Sequence, residues 1–197
     1  VEYFRGLLLT LKGTSSEAMS VSVKWDGAPA VVCGTNPDNG QFFVGTKSVF
    51  SKTPKINYTK KDIATNHGTD ELGQKLLKCL VHLKKLNIQG VVQGDLLYTD
   101  EGITRKNIDG KPHLTFTPNT ITYAVPEGGE LAKQIDRAKV GIIFHTTYAG
   151  DSLATMNAQG GADVSSFTQS PDVFFDNASY KDVSGSAKFT ADESQQF

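Results

Sequence analysis

One short run of residues offers the chemistry of a nucleophile: Val23-Lys24-Trp25-Asp26-Gly27-Ala28-Pro29. A lysine amine can attack a phosphate once it has lost its proton, which calls for desolvation or a neighbouring cation. The small residues Gly27 and Ala28 leave room for a nucleotide to approach the backbone. Taken alone, Lys24 is equally a solvated hairpin residue, because this composition produces a Lys-x-Asp-Gly tetrapeptide by chance roughly one time in nine.

Three later segments place further polar or aromatic residues at the ends of predicted strands. They are Gly45-Thr46-Lys47-Ser48-Val49-Phe50, Gln93-Gly94-Asp95-Leu96-Leu97 and Thr120-Ile121-Thr122-Tyr123-Ala124. Each supplies a group that a nucleotide site uses, namely a cation, a carboxylate and an aromatic ring. Their order along the chain therefore gives Lys24 a chemical context that the tetrapeptide alone lacks.

These four segments resemble, in order, motifs of the covalent nucleotidyltransferases, the superfamily of ATP-dependent DNA ligases, RNA ligases and mRNA capping enzymes. Lys24-Trp25-Asp26-Gly27 is similar to its Lys-x-Asp-Gly motif, and the segment around Lys47 to its Ser/Thr-Arg-x-x-Phe motif. The segment around Asp95 resembles Asp-Gly-Glu-Leu, and the segment around Tyr123 resembles the motif whose aromatic stacks on the base. The resemblance implies an α+β fold with mixed, largely antiparallel sheets and flanking helices, an ATP-grasp-like ligase nucleotidyltransferase domain.

The resemblance also implies roles for individual residues. Lys24 would attack the α-phosphate of ATP, with Mg²⁺, and form a lysyl-AMP intermediate used in nucleic-acid ligation or end processing. Asp26 and Gly27 would bind the nucleotide, with Asp26 orienting the nucleotide or the lysine. The other predicted contacts are Lys47 to phosphate, Asp95 to the ribose and to a metal ion, and Tyr123 to adenine.

The sequence also departs from the family pattern. Pro29-Ala30-Val31 stands where ligases place an arginine, and Asp95 stands where a glutamate is usual. Val140-Gly141-Ile142-Ile143-Phe144-His145 imitates a Glu-Gly-apolar-Lys motif but lacks its metal-holding acid, and the paired lysines of a further motif are missing. We expect these motifs to lie beyond Phe197 or to have diverged. A non-catalytic nucleotide- or nucleic-acid-binding protein therefore stays an alternative, as does a phage structural protein.

A closer likeness is to uncharacterised ligase-like proteins of tailed phages. It rests on segments such as Lys-Trp-Asp-Gly-Ala-Pro, Gln-Gly-Asp-Leu-Leu and Pro-Asn-Thr-Ile-Thr-Tyr-Ala-Val-Pro, and the likeness covers most of the chain. If the protein is phage-encoded, we expect it in the host cytoplasm.

Two groups of residues keep two interpretations each. The basic stretch that contains Lys52, Lys55 and Lys60 could track a nucleic-acid backbone, with Phe50 or Tyr58 stacking on bases, or could be a solvated loop. His145 could face the nucleotide pocket, although a hydrogen-bonded histidine at a strand end is more common.

Composition sets the outer limits. With 38% hydrophobic and 21% charged residues, no run long enough to span a membrane and a net charge of −1, we expect a globular protein whose affinity for nucleic acid is local. The two cysteines, Cys33 and Cys79, indicate neither a disulfide nor a metal cluster and fit a cytoplasmic protein. We expect one domain over residues 1–197, a fragment without one or both ends, and no OB domain.

Hydrophobic periodicity predicts the elements that position these residues. Alternation over Ser20–Asp26 predicts a strand that starts a three-stranded antiparallel meander with Ala30–Cys33 and Phe42–Val44. Thr59 should open a short helix that Gly68 stops, and Thr69 should cap a second helix. The remaining predicted elements are a buried strand Val91–Tyr98, a hairpin at Asp109-Gly110, strands Leu114–Phe116, Ile121–Val125, Val140–Phe144 and Val173–Phe175, a helix Gly129–Lys139, an element within residues 1–13 and an edge strand Ala187–Thr190.

Overall fold

The computed structural model describes residues 22–179 and Thr190. It divides into a larger unit, Lys24–Ala178, and a smaller unit in which Ser22 and Ser179 form an isolated antiparallel bridge. The larger unit holds all the helices and strands given below. The element predicted within residues 1–13, and the strand predicted at Ala187–Thr190 apart from Thr190 itself, lie outside the described residues.

The larger unit is built on two sheets. A six-stranded sheet has the order β2-β1-β3-β7-β8, with β9 also beside β7, and a three-stranded sheet has the order β4-β5-β6. Every pairing is antiparallel except the one between β7 and β9. The strands are β1 Ala30–Thr35, β2 Phe42–Gly45, β3 Val91–Thr99, β4 Thr104–Ile108, β5 Lys111–Phe116, β6 Tyr123–Pro126, β7 Val140–Ala149, β8 Asn157–Gly160 and β9 Val173–Asn177.

Three α-helices accompany the sheets in the described part of the chain. They are α1 Lys60–His67, α2 Glu71–Leu83 and α3 Glu130–Arg137, and short 3-10 helices cover Lys47–Phe50, Lys84–Leu86 and Asp100–Gly102. The predicted α+β class with largely antiparallel sheets is therefore confirmed. None of these helices is long and apolar enough to cross a membrane.

The helix ends follow local capping chemistry. Thr59 opens α1 through a reciprocal capping box with Asp62, and Gly68 ends the helix, as predicted. The predicted cap of α2 is wrong by one residue. Asp70, rather than Thr69, accepts the hydrogen bond from the Gly73 amide, because a carboxylate at that position reaches the free N–H groups of the first turn.

Helix α2 covers one face of the six-stranded sheet, which we call the helix face. An apolar cluster fills the space beneath the helix, because alternate residues of the strands point towards it. This cluster is made of buried side chains from α2, β1, β3 and β7, together with Phe167: Leu76, Cys79, Leu80, Leu83, Val31, Cys33, Val92, Leu96, Val140, Ile142 and Phe144.

The opposite face of the six-stranded sheet, which we call the open face, has apolar residues only towards its two ends. At one end, Val32, Phe43 and Val91 pack with Val49 and Leu153. At the other end, residues such as Leu97 and Ile143 pack in the cluster that also holds residues of α3 and of the three-stranded sheet.

The predicted strand over Ser20–Asp26 is wrong in its described part. Ser22 makes an isolated bridge, residues 23–29 belong to no strand, and β1 begins only at Ala30. The Ala28 amide donates to the Leu96 carbonyl, and the Leu96 amide donates to the Pro29 carbonyl. These two hydrogen bonds join residues 28 and 29 to β3. Instead of the predicted three-stranded meander, the described residues of this region form a two-stranded hairpin of β1 and β2.

Candidate functional site

Polar side chains interrupt the apolar open face at its centre. Along β3, alternate residues run from the buried Val91 through Gln93 and Asp95 to the buried Leu97. Along β7, opposite them, lie Thr146, His145 and the buried Ile143. We call Gln93, Asp95, His145 and Thr146 the polar strip. It lies between the two apolar clusters of this face, where a core residue would otherwise be expected.

A β-bulge turns His145 towards this strip. Gln93 pairs with Thr146 and Gly94 pairs with Phe144, so His145 is an extra residue without a Cα partner on β3. Bulges bend a strand and re-aim one side chain, and they occur often beside active sites. The His145 carbonyl accepts from the Gly161 amide at 2.9 Å, which holds the bulge from its other edge.

The polar strip is linked by hydrogen-bonding contacts. His145 Nε2 lies 3.4 Å from Asp95 Oδ1, and His145 Nδ1 lies 2.8 Å from Thr146 Oγ1. The Tyr148 hydroxyl donates to Gln93 Oε1 at 2.7 Å, and burial raises the pKa of Tyr148. The side chains of His145 and Asp95 keep 28% and 23% of their surface exposed. A carboxylate and an imidazole are therefore oriented by neighbours and still reachable by a ligand.

Gly27 brings the Lys-x-Asp-Gly segment onto the polar strip. A methyl group at Gly27 would lie 2.5 Å from the Asp95 Cβ and 2.9 Å from the Leu96 carbonyl oxygen, closer than a side chain can pack. A glycine is required here because two backbones cross. The structure thus brings together Gly27 and Asp95, which are 68 residues apart in the sequence.

Asp26 ties this segment to the loop that precedes β6. Its carboxylate accepts from the Thr120 and Ile121 amides, both at 2.7 Å, and from Asn119 Nδ2 at 2.9 Å. These hydrogen bonds, led by the one from Ile121, hold the pKa of Asp26 below its usual value, and the charge of Lys24 contributes. Both carboxylate oxygens are therefore used inside the protein. The nucleotide contact predicted for Asp26 stays a prediction.

Tyr123 lies in a series of aromatic rings. Its ring stacks on Trp25 and on Phe116, each with a centroid separation of 5.4 Å, and Phe116 contacts Tyr98 at 4.8 Å. The Tyr123 hydroxyl accepts from the Asp26 amide at 2.9 Å. The structure thus brings Tyr123 to the Lys-x-Asp-Gly segment, but its ring already has two stacking partners. Stacking on adenine stays a prediction, and it requires the base to displace or extend this series.

The two lysines predicted to act on the nucleotide are both exposed. Lys24 lies near enough to Asp26 to lower the pKa of that carboxyl group. Lys47 is the first residue of a 3-10 helix that directly follows β2, with Thr46 as its cap. Gly45, before it, is enclosed by Val49 and the Lys55 carbonyl. No contact that we describe joins Lys47 to Lys24, so its phosphate contact stays a prediction.

The lysines of the basic stretch are exposed, whereas its aromatic rings are partly buried. Lys52, Lys55 and Lys60 are exposed, and Lys55 Nζ donates to the Asn66 carbonyl at 3.2 Å. The Phe50 ring lies 4.4 Å from that of Tyr148, and the Tyr58 hydroxyl accepts from Asn36 at 2.7 Å. Both rings pack against the apolar cluster around Val32. Base stacking on Phe50 or Tyr58 stays a prediction, and it requires a base to reach the part of each ring that remains exposed.

Metal-ligating residues of the described part of the chain do not cluster in threes. Within residues 22–179 and at Thr190, no group of three His, Cys, Asp or Glu side chains is placed to hold a metal ion. Both cysteines are buried and free, and burial raises the pKa of Cys79 to about 12 and that of Cys33 well above its usual value. They are therefore core residues and not nucleophiles.

A well-formed cleft lies beside the candidate site and not in it. It has a volume of about 280 Å³ and is lined by residues that include Ala28, Leu97, Phe116, Lys75 and Lys78. None of the polar-strip residues lines it. We place the candidate site at the polar strip because a carboxylate and an imidazole meet there, and not because of the size of a cavity. The cleft borders the aromatic series that leads to Tyr123.

Sequence reasoning missed several participants. The sequence assigned no separate role in the site to Asn119, Trp25 or Thr146. The Pro118-Asn119 turn was the available signal for the first, because asparagine side chains often hydrogen-bond across turns. No signal in the sequence reveals the bulge that aims His145 at Asp95, since it depends on strand register. His145 contacts Thr146 and Asp95, as expected of a hydrogen-bonded histidine, and its predicted place in a nucleotide pocket stays a prediction.

Comparisons with known proteins give one match. No curated protein and no solved structure matches the chain. One family model, described as a family of unknown function, matches residues 1–197. Because that match covers the full sequence given, the chain belongs to this family, DUF6267.

Proposed function

We propose that this protein is a nucleotidyltransferase of the ligase type, in which Lys24 takes AMP from ATP for nucleic-acid ligation or end processing. The observation that supports this most is the meeting of three segments far apart in the sequence. Gly27 packs on Asp95, and Asp26 holds residues 119–121 and contacts Tyr123. These are three of the four segments that resemble the superfamily's motifs, and they meet around one polar strip.

The proposed reaction is a displacement at the α-phosphorus of ATP. The neutral amine of Lys24 attacks, a P–N bond forms, and the P–O bond to the β-phosphate breaks, so that pyrophosphate leaves and carries the electron pair. The Lys24 ammonium group first loses one proton to solvent, since Lys24 is exposed, and the attacking nitrogen loses a second proton to solvent as the P–N bond forms. In a second step, a nucleic-acid 5′-phosphate oxygen would take the AMP from Lys24 and free the amine.

The residues present fit Mg²⁺ in part. Such ions are commonly held by one or two carboxylates together with the phosphates of the substrate, and Asp95 is the partly exposed carboxylate of the polar strip. When bound, the ion neutralises charge on the phosphates. The chain's own part is to hold the Lys24 segment over β3, through Gly27, and to fix its path through the hydrogen bonds of Asp26.

The proposal is tested by incubating the full chain with ATP labelled at the α-phosphate and Mg²⁺, followed by denaturing gel electrophoresis. We expect a protein-bound label that survives alkali and is released by mild acid, as a phosphoramidate is. Lys24→Arg keeps the charge but removes the amine nucleophile, so it should carry no label. Lys84→Arg, at an exposed lysine of the 3-10 helix after α2, is the matched control and should label normally.

Label that persists in Lys24→Arg would exclude Lys24 as the nucleophile. Absence of label from the wild-type chain, under conditions where it binds ATP, would reject covalent transfer. Labelling with GTP in place of ATP would keep the mechanism and change the substrate.

A second function is non-catalytic binding of a nucleotide or nucleic acid by the same residues. It is favoured by the exposure of Lys24, because a lysine nucleophile usually needs a desolvated amine. Calorimetry separates the two functions. Binding of ATP without any protein-bound label would support the second, and a stoichiometric label would exclude it.

A further inference from the structure

We infer that Asp95 and His145 together form a binding site for a divalent transition-metal ion, with one carboxylate oxygen and one imidazole nitrogen as the protein ligands. This inference deepens the proposed function by naming the ion that its polar strip selects. It starts from the two atoms that face each other across the strip, Asp95 Oδ1 and His145 Nε2, at 3.4 Å.

The separation of these two atoms fits a shared ion. Ligand bonds of about 2.1 Å place neighbouring ligand atoms about 3.0 Å apart at a right angle and about 3.4 Å apart at the tetrahedral angle. The observed 3.4 Å lies in that range, whereas it is beyond the ordinary 2.7–3.2 Å of an N–H···O hydrogen bond. An ion could therefore bind both atoms without movement of the backbone.

The other nitrogen of His145 is held in the way that metal-binding histidines require. Nδ1 lies 2.8 Å from Thr146 Oγ1. If the Nδ1–H donates to this hydroxyl, the lone pair of Nε2 points towards the Asp95 carboxylate, and two acceptors face each other. A cation between them removes that repulsion. A hydrogen bond that fixes the second ring nitrogen is the common outer-shell feature of histidine ligands.

The backbone around both ligands is rigid. Asp95 lies in the centre of β3, paired with Ala30 on one side and Ile143 on the other. His145 is fixed by the bulge and by its carbonyl's hydrogen bond from Gly161. Each side chain keeps about a quarter of its surface exposed, so water or phosphate oxygens can complete the coordination.

The ligand pair selects the class of ion. Carboxylate oxygen alone suits Mg²⁺, whereas an imidazole nitrogen favours transition metals. One of each therefore favours a divalent transition metal over Mg²⁺, and we take Mn²⁺ as the probe because it also accepts phosphate oxygens.

The test is a titration of the full chain with Mn²⁺ in the absence of nucleotide. The electron paramagnetic resonance signal of the free ion measures how much Mn²⁺ remains unbound. We expect one site, at which Mg²⁺ competes only in large excess. Asp95→Asn and His145→Gln should each weaken binding at least tenfold. Thr146→Val, which removes the hydroxyl but keeps the shape, should weaken it about tenfold. His113→Gln, at a histidine on β5 whose Nδ1 contacts the Lys111 carbonyl, is the matched control.

A second measurement needs no variant. In the wild-type protein, substoichiometric Mn²⁺ should broaden the imidazole signals of His145 in the NMR spectrum well before those of His113. Equal broadening of the two histidines, wild-type affinity in His145→Gln, or no saturable site would each overturn the inference. The Mn²⁺ titration contains no nucleotide, so its result does not depend on the labelling experiment with ATP. If the chain binds Mn²⁺ here but Lys24 carries no label in that other experiment, this inference stands and only the proposed function is rejected.

Discussion

The two faces of the six-stranded sheet are built from the same strands but differ in what their central residues can do. On the helix face, Val92, Leu96 and Phe144 are buried against α2. On the open face, the neighbouring residues Asp95 and His145 stay partly exposed and contact each other. Because side chains alternate along a strand, β3 and β7 supply a core on one side and reactive groups on the other. A rigid core thus holds the groups of the polar strip in place.

The difference also explains where the sheet tolerates polar atoms. A buried carboxylate without partners costs free energy, whereas one that is hydrogen-bonded and partly hydrated does not need to be neutralised. The apolar clusters on both sides of the polar strip exclude water from the rest of the open face. Substitutions on the helix face should therefore change stability, and substitutions on the polar strip should change binding.

The largest effect should come from the helix face. Phe144→Ala removes a ring that is fully buried against the α2 cluster, so it should lower the free energy of unfolding by about 3–5 kcal/mol in urea denaturation. His145→Ala, at the next residue of β7, is the matched comparison and should cost less than about 1 kcal/mol because its side chain is partly exposed. Similar losses for both variants would contradict the division of roles between the faces. If Phe144→Ala does not fold, Phe144→Leu should show a smaller loss of the same sign.

The next effect should come from the crossing at Gly27. Gly27→Ala places a methyl group against the Asp95 Cβ and the Leu96 carbonyl, so one backbone must move, at a cost of about 1–3 kcal/mol. Gly160→Ala is the control, since a methyl group there meets nothing within 4 Å. Gly27→Ala should also reduce the Mn²⁺ affinity, because Asp95 is the residue displaced. Unchanged stability would mean that the segment does not pack on β3.

Much of the fold could be predicted from local patterns. The apolar residues of Val91–Tyr98 indicated the buried strand β3, and the capping box at Thr59 with Gly68 after it indicated α1, because these signals come from residues close together in sequence. The strand predicted over Ser20–Asp26 was wrong in its described part, because its fate depends on residues far away in the sequence. Its alternation is real, but a strand also needs a partner, and the chain crosses Asp95 at Gly27 where no side chain fits.

The candidate site was predictable in its members and not in its geometry. The sequence pointed to Asp26, Gly27, Asp95 and Tyr123, which the structure brings near one another. It could not reveal that Asn119, Thr120 and Ile121 occupy the Asp26 carboxylate, because such hydrogen bonds depend on the path of the loop. The bulge at His145 depends on strand register, which alternation alone does not fix.

A smaller, pH-dependent effect should come from Asp26. Hydrogen bonds depress its pKa in the folded state below 3.8, so its ionised form stabilises the fold above that pH, and this contribution is lost as the pH falls through the folded-state pKa. Asp26→Asn should therefore unfold at lower urea concentration than the wild type at pH 7, and the gap should narrow below about pH 4. Asp38→Asn, at an exposed aspartate, should show no such gap. A gap that stays constant with pH would mean that the charge of Asp26 is not what holds the loop.

The smallest effect on stability should come from Lys24. Its side chain is exposed, so Lys24→Arg should change the free energy of unfolding by no more than about 0.5 kcal/mol, the same as Lys84→Arg. The measurement is urea denaturation of both variants beside the wild type. If Lys24→Arg also loses the AMP label while its stability stays unchanged, the residue acts in chemistry and not in folding. If Lys24→Arg instead lowers the free energy of unfolding by more than about 1 kcal/mol, Lys24 has a structural role. The contrast between a helix face that stabilises the fold and an open face that carries the chemistry would then no longer hold.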